Sequence, residues 1–202
     1  MKTLFLMRHG KSSWKHPELA DRERPLTKRG VKASHHMGEF IAHKELAPQR
    51  IISSSAVRAL ETARLLSQEC QCGENIIAVD ELYLAEPDLY INYLRTLPDD
   101  LERVMVVGHN PGLESLLQML SGKIEMLTTA VVAYLSLPIN SWKDLSGETE
   151  GELTDLWRPK ELPEEIVEKD SGKKPKPKKA REEKAKEEKI KVEKPKKKSK
   201  KK

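Results

Sequence analysis

The chain has 202 residues, 34% of them charged and 37% apolar, with a formal net charge of +5. That length suits one folded domain with an appendage, and no apolar run approaches the roughly 18 residues of a membrane-spanning helix. The charge is unevenly divided. Positions 169–202 hold eighteen Lys or Arg against six Asp or Glu, so the preceding 168 residues carry −7 and have no general attraction for nucleic acid.

In chain order, Thr3–Met7 is a short apolar run that reads as a buried strand. Thr27–Ala42 places Val31, His35, Gly38 and Ile41 near helical spacing, with Thr27 as N-cap. Arg50–Ser53 is the second strand candidate, and Ser55–Glu69 the second helix. Cys70 and Cys72 follow it. One residue apart, they are poorly spaced for a disulfide, and no second Cys or His pair completes a zinc site. Ile76–Val79 is a third strand, and Pro87–Leu97 a helix opening on a proline at a favoured position. Arg103–Val107 is a fourth strand, and Pro111–Leu120 carries an apolar stripe of Leu113, Leu116, Leu117 and Leu120. Ala130–Leu137 and Glu152–Trp157 are strands joined by a Ser-, Gly-, Asn- and Glu-rich connection, which suggests an antiparallel pair at one edge.

This alternation predicts an α/β three-layer sandwich: a mostly parallel central sheet, helices on both faces and an antiparallel edge. The domain is expected to span 1–163. Beyond it, 164–202 is rich in Lys, Glu and Pro, with too little apolar surface to offset its chain entropy. That stretch is expected to be disordered. Either it is a solubilising extension, or it contacts anionic surfaces or nucleic acid, although it has no interleaved aromatics for base stacking. Only five apolar residues precede Arg8, too few for a secretory signal, so a cytoplasmic location is expected.

Chemistry concentrates in Arg8-His9-Gly10, at the carboxyl end of the first strand. Open α/β sheets place their ligands there. An imidazole can act as nucleophile, a guanidinium can hold a phosphoryl group through two hydrogen bonds, and a glycine lets phosphate approach the backbone. Three further segments fall on the same rim. Ser53-Ser54-Ser55 opens a helix in which Arg58 lies one turn along, and Gly108-His109-Asn110-Pro111 puts a second histidine at a strand end. Arg24-Pro25-Leu26-Thr27 starts the first helix.

Together these segments resemble the histidine phosphatase (phosphoglycerate mutase-like) superfamily, and within it the small SixA-type phosphohistidine phosphatases. The matching residues are Met7-Arg8-His9-Gly10-Lys11, Arg24-Pro25-Leu26-Thr27 with Gly30, Ser53-Ser54 with Arg58-Ala59 and Glu61-Thr62-Ala63, and Val107-Gly108-His109-Asn110-Pro111. The ending Gly151-Glu152-Leu153 through Trp157-Arg158-Pro159-Lys160-Glu161-Leu162 is also similar, so the likeness covers Met1 to Leu162.

The resemblance implies that His9 is a nucleophile, transiently phosphorylated and then hydrolysed by water. It implies that Arg8 and Arg58 clamp the phosphoryl oxygens and that His109 completes the pocket; two guanidiniums and a protonated imidazole would answer the charge spread over a phosphoryl group in transfer. Gly10 and Asn110 join the substrate-binding set, and no metal or cofactor is needed. Glu81 is the candidate general acid, in a stretch crowded by Asp80, Glu86 and Asp88. Arg24 is read as orienting the loop after His9, while His16, His35, His36 and His43 receive no chemical role.

Only about fifty residues separate Arg58 from His109, so no cap domain is expected and the site should be open. An open site fits a phosphohistidine presented on a protein, either a histidine-phosphotransfer domain or a phosphocarrier. The alternatives are a phosphatase of small phosphoesters and a non-catalytic phosphoprotein-binding module. Nothing signals an obligate assembly, so a monomer is expected.

Overall fold

The computed structural model describes residues 1–73 and 75–163, and the expectations for 164–202 lie outside the described residues. One six-stranded sheet runs through the molecule: β1 (Lys2–Arg8), β2 (Arg50–Ser54), β3 (Ile76–Val79), β4 (Arg103–Gly108), β5 (Val132–Leu137) and β6 (Glu152–Trp157). Among the described residues four α-helices accompany it: α1 (Lys28–His43), α2 (Val57–Cys70), α3 (Pro87–Leu94) and α4 (Gly112–Ser121). The strand order is β3-β2-β4-β1-β5-β6. The first four strands are parallel, and β5 and β6 form the expected antiparallel edge.

The central strand β1 shows why helices cover both faces. Its side chains alternate in direction, and all four apolar ones are buried. Leu4 and Leu6 enter a core built by α3 and α4 with Trp142. Phe5 and Met7 face α1 and α2, through Met37, Ile41, Ala59, Ala63 and Leu66. A strand buried on both sides reads as a continuous apolar run.

Element ends differ from expectation by a few residues, each for a local reason. Helix α1 begins after Thr27, whose hydroxyl accepts from the Gly30 N–H at 3.1 Å, as an N-cap should. Helix α2 begins at Val57 rather than Ser55, because Ala56 keeps extended ψ of 136°. Helix α3 ends at Leu94, short of Leu97, where Pro98 disfavours helical backbone in the residue before it. Strand β5 starts at Val132 because Ala130, at φ 64°, turns its N–H toward the Arg8 and His9 carbonyls.

Cys70 and Cys72 form a disulfide, contrary to the reading of their spacing. Gln71 closes α2 in left-handed backbone, φ 52°, and folds the chain back so that the two Cα atoms stand 5.4 Å apart. That separation lies in the range a disulfide requires. The pair is a clasp at the helix end.

Two glycines bring the segment after β1 against α1. A Cβ on Gly30 would lie 2.3 Å from the Lys11 carbonyl oxygen, and one on Gly10 would lie 3.0 Å from the Gly30 oxygen. Both obstacles are backbone and cannot swing aside. Gly30→Ala is therefore expected to cost about 2 kcal/mol of stability through overpacking, read as a lower urea midpoint with unchanged slope.

Candidate active site

The site is built by strand register. Parallel pairing of β1 with β4 sets Arg8 opposite Gly108, so the next residues, His9 and His109, emerge side by side. Their ring centroids are 5.1 Å apart. Strand β2 flanks β4 on its other side and contributes Ser54, and α2 follows it with Arg58 in its first turn. His9, His109 and Arg58 are all buried at this rim.

Hydrogen bonds fix which nitrogen of each ring carries the proton. His9 Nδ1 lies 2.7 Å from the Gly10 carbonyl, an acceptor only, so Nδ1 carries the proton and Nε2 keeps its lone pair. Arg58 Nε donates to that Nε2 at 3.3 Å. His109 Nε2 is 2.9 Å from the Ser54 hydroxyl, and His109 Nδ1 accepts from Arg58 Nη2 at 3.4 Å. One guanidinium thus spans both imidazoles. Arg8 donates through Nη1 to the Leu127 carbonyl at 2.9 Å, and its Nε is buried without a partner among the described residues.

Burial is the main force on both imidazoles. It lowers the His9 pKa from the ordinary 6.5 to about 4, with Arg58 and Arg8 pushing the same way and the Gly10 carbonyl opposing. His109 falls to about 3, through burial and then its neighbours His9 and Arg58. Both rings are neutral at pH 7. Three guanidiniums, of Arg8, Arg24 and Arg58, therefore supply the positive charge around the two rings; the protonated imidazole expected from the sequence is one that answers a phosphoryl group in transfer.

The carboxylate among them is Asp21, on a short helical turn (Asp21–Glu23) between β1 and α1. Its Oδ2 accepts from Arg58 Nη2 at 2.9 Å and from the Tyr83 hydroxyl at 2.7 Å, and its Oδ1 accepts from Arg24 Nη1 at 2.6 Å. These bonds, that of Tyr83 first, hold its pKa well below the usual carboxylate range. Tyr83 stacks edge-on against His109 at 5.5 Å. Neither residue was singled out from the sequence. Asp21 had a signal in its placement three residues before Arg24, on one turn, whereas Tyr83 is brought in only by the end of β3.

The other expected residues fall as follows. Arg24 orients the loop after His9, bonding the Ser13 carbonyl at 3.0 Å and the Ser12 hydroxyl at 2.8 Å. Gly10 has a different use from the one expected. Its N–H donates to Thr62 Oγ1 at 2.9 Å, and its lack of a side chain admits α1, not phosphate. Asn110 donates to the Leu127 carbonyl at 2.9 Å, the same oxygen that holds Arg8, and its own Oδ1 is buried without a partner among the described residues. Glu81 is not brought to the others: it is exposed on the short turn after β3, with no hydrogen bond or ion pair among the described residues. His35 pairs with Glu69 across α1 and α2 at 2.8 Å, a structural contact.

Such an arrangement can hold a tetrahedral anion between guanidiniums and present it to an unprotonated imidazole nitrogen. Among the described residues, no group of three or more His, Cys, Asp or Glu is placed to hold a metal ion, and no helix is long and apolar enough to cross a membrane.

Residues 4–83 match the histidine phosphatase superfamily (branch 1). An uncharacterized chloroplastic protein of Arabidopsis thaliana is 30% identical over 152 residues, 71% of this chain and 70% of its own. Among solved structures, a protein assigned as phosphohistidine phosphatase SixA from Agrobacterium tumefaciens superposes with a TM-score of 0.67. It is 25% identical, and the match covers 78% of this chain and 98% of that one. A protein histidine phosphatase SixA complexed with tungstate gives a TM-score of 0.68 at 24% identity, over 78% of this chain and 97% of its own, a likeness of fold.

Two buried neutral imidazoles make stability sensitive to acid. The unfolded chain binds protons on them below about pH 6.5, whereas the folded chain resists until about 4 and 3. Stability is therefore expected to fall as pH drops from 6.5 toward 4, by on the order of 5 kcal/mol for the two rings together. Asp21 adds to the loss only at lower pH still, below the ordinary carboxylate value of 3.8. Urea midpoints across this range check the slope, and His9→Asn/His109→Asn should flatten it.

Proposed function

Since the chain belongs to the histidine phosphatase superfamily (branch 1), we propose that it is a SixA-type phosphatase that removes phosphate from phosphohistidine on a signalling or phosphotransfer protein. In this reading His9 Nε2 attacks phosphorus along the face bounded by Arg58 and His109. The P–N bond to the substrate's imidazole breaks, and that imidazole departs neutral when its remote nitrogen already carries a proton. Water then attacks phospho-His9, inorganic phosphate leaves, and the electron pair returns to Nε2. Arg8 and Arg58 hold the equatorial oxygens throughout. His109 stays neutral in the empty site and donates from Nε2 to Ser54, which aims its Nδ1 inward.

One observation supports this substrate over an alkyl phosphate. An alkoxide leaving group needs a proton donor, and the carboxyl at the pocket is Asp21. Two arginines and Tyr83 keep it ionised. Tyr83 is a poor donor as well, because its bond to Asp21 raises its pKa. Phosphohistidine has a leaving group that does not ask for an acid. A protein substrate is also favoured by exposed apolar side chains on the rim loops: Trp14 beside Arg24, Leu84 beside Tyr83, and Ile124 and Met126 leading to Leu127.

The decisive measurement is trapping of the intermediate. Alkaline quench after addition of a phosphohistidine protein should yield an acid-labile phosphoenzyme, and His9→Ala should abolish it. Its absence from the wild-type protein revives the non-catalytic binding module. Arg58→Ala should lower kcat/KM by about 10²–10³, and Glu81→Gln should leave the phosphohistidine rate within about twofold, since no proton donor is required there. A preference for sugar phosphates over the phosphohistidine protein, measured side by side, would overturn the proposed substrate class in favour of small phosphoesters.

A further inference from the structure

Resting on the phosphohistidine reading, we propose that a basic groove beside the phosphate pocket docks an acidic surface of the substrate protein. The groove encloses about 1010 Å³ between the outer face of α1 and the segment after β6. From α1 it takes Arg29, Lys32, Ala33 and His36, residues spaced three or four apart on one face. Lys160 and Leu162 form the opposite wall.

One end of the groove adjoins the chemistry. Lys11 and Thr128 line it. Lys11 follows Gly10, whose carbonyl fixes the His9 tautomer, and Thr128 follows Leu127, whose carbonyl holds Arg8 and Asn110. A partner lying along α1 therefore reaches the phosphate pocket at its end.

The charges of the groove are unspent. Lys11, Arg29, Lys32 and Lys160 are exposed and make no ion pair among the described residues. Arg158 on the same wall is by contrast engaged by Glu125 at 3.2 Å and Glu161 at 3.8 Å. Glu39 is the acidic lining residue left without such a partner. Four free cations against one carboxylate favour a partner carrying several Asp or Glu. A nucleic acid fits less well, because residues 1–168 total −7 and no aromatic side chain lines the groove for stacking. Exposed charges of this kind act on encounter and register rather than on the chemical step.

The test compares the full-length wild type with Arg29→Glu/Lys32→Glu/Lys160→Glu on two substrates. One is an acidic histidine-phosphotransfer domain charged with phosphoramidate; the other is p-nitrophenyl phosphate. The triple variant should raise KM for the phosphoprotein about tenfold with kcat unchanged, weaken its salt dependence, and leave the aryl phosphate untouched. Neutralising the carboxylates beside the substrate's phosphohistidine should raise the wild-type KM similarly, with no further rise in the triple variant. The wild-type half of this second arm does not depend on how the variant folds.

An unchanged KM in the variant overturns the groove while sparing the phosphohistidine reading. Hydrolysis of the aryl phosphate alone by wild type overturns that reading, and the groove with it. Equal losses on both substrates overturn the groove as a separate docking surface. So does inhibition by a single-stranded oligonucleotide that the variant escapes, which would make it a nucleic-acid site.

Discussion

Everything at the site follows from how β1 and β4 are paired. Parallel alignment of Arg8 with Gly108 delivers two histidines to adjacent places on one rim, although a hundred residues separate them in the chain. A slip of one residue would turn one imidazole into the core and bring a core side chain to the rim, because successive side chains point to opposite faces. Burial of β1 and β4 on both faces makes that slip costly, since Leu4, Phe5, Leu6 and Met7 would all have to change partners. The apolar core is thus what sets the spacing of the two imidazoles.

Around this pair, one backbone carbonyl and one guanidinium settle the protonation pattern. The Gly10 carbonyl occupies His9 Nδ1, and Arg58 lies against the remaining nitrogen. Burial then disfavours a cation on either ring more strongly than any nearby acceptor favours it. The loop that supplies the Gly10 carbonyl is held by Thr62 from α2 and by close contact with Gly30 of α1. Helices that cover the sheet therefore also fix the orientation of the His9 ring.

The sheet, its order of elements and four of the site residues were legible in the sequence because apolar runs and strand-end histidines are local patterns. Thr27 as N-cap is another local signal, and it holds. Asp21 and Tyr83 were not legible, since their roles depend on the turn at Asp21–Glu23 meeting the end of β3. The Cys70–Cys72 disulfide was hidden by a single left-handed residue, Gln71, which sequence spacing does not reveal. Gly10 was assigned to phosphate because glycine beside a histidine suggests ligand approach. Only the fold shows that the space it leaves is taken by α1. The lowered pKa of His109 was not legible either, because it comes from burial, and burial is a tertiary property.

The neutrality of both imidazoles leaves the positive charge of the pocket to its arginines. Arg24 and Arg58 bind Asp21, and Arg8 donates to the Leu127 carbonyl, so guanidiniums are what make the rim attractive to an anion. Protonating both histidines would add to that attraction and remove the lone pair on His9 Nε2. Asp21 also limits the chemistry from the other direction: a carboxylate bound by two arginines and a phenol cannot lend a proton to a leaving group. On the proposed function, a pocket arranged this way suits a phosphoryl donor whose leaving atom is already a stable neutral base, a condition that the P–N bond of phosphohistidine meets without help from an acid.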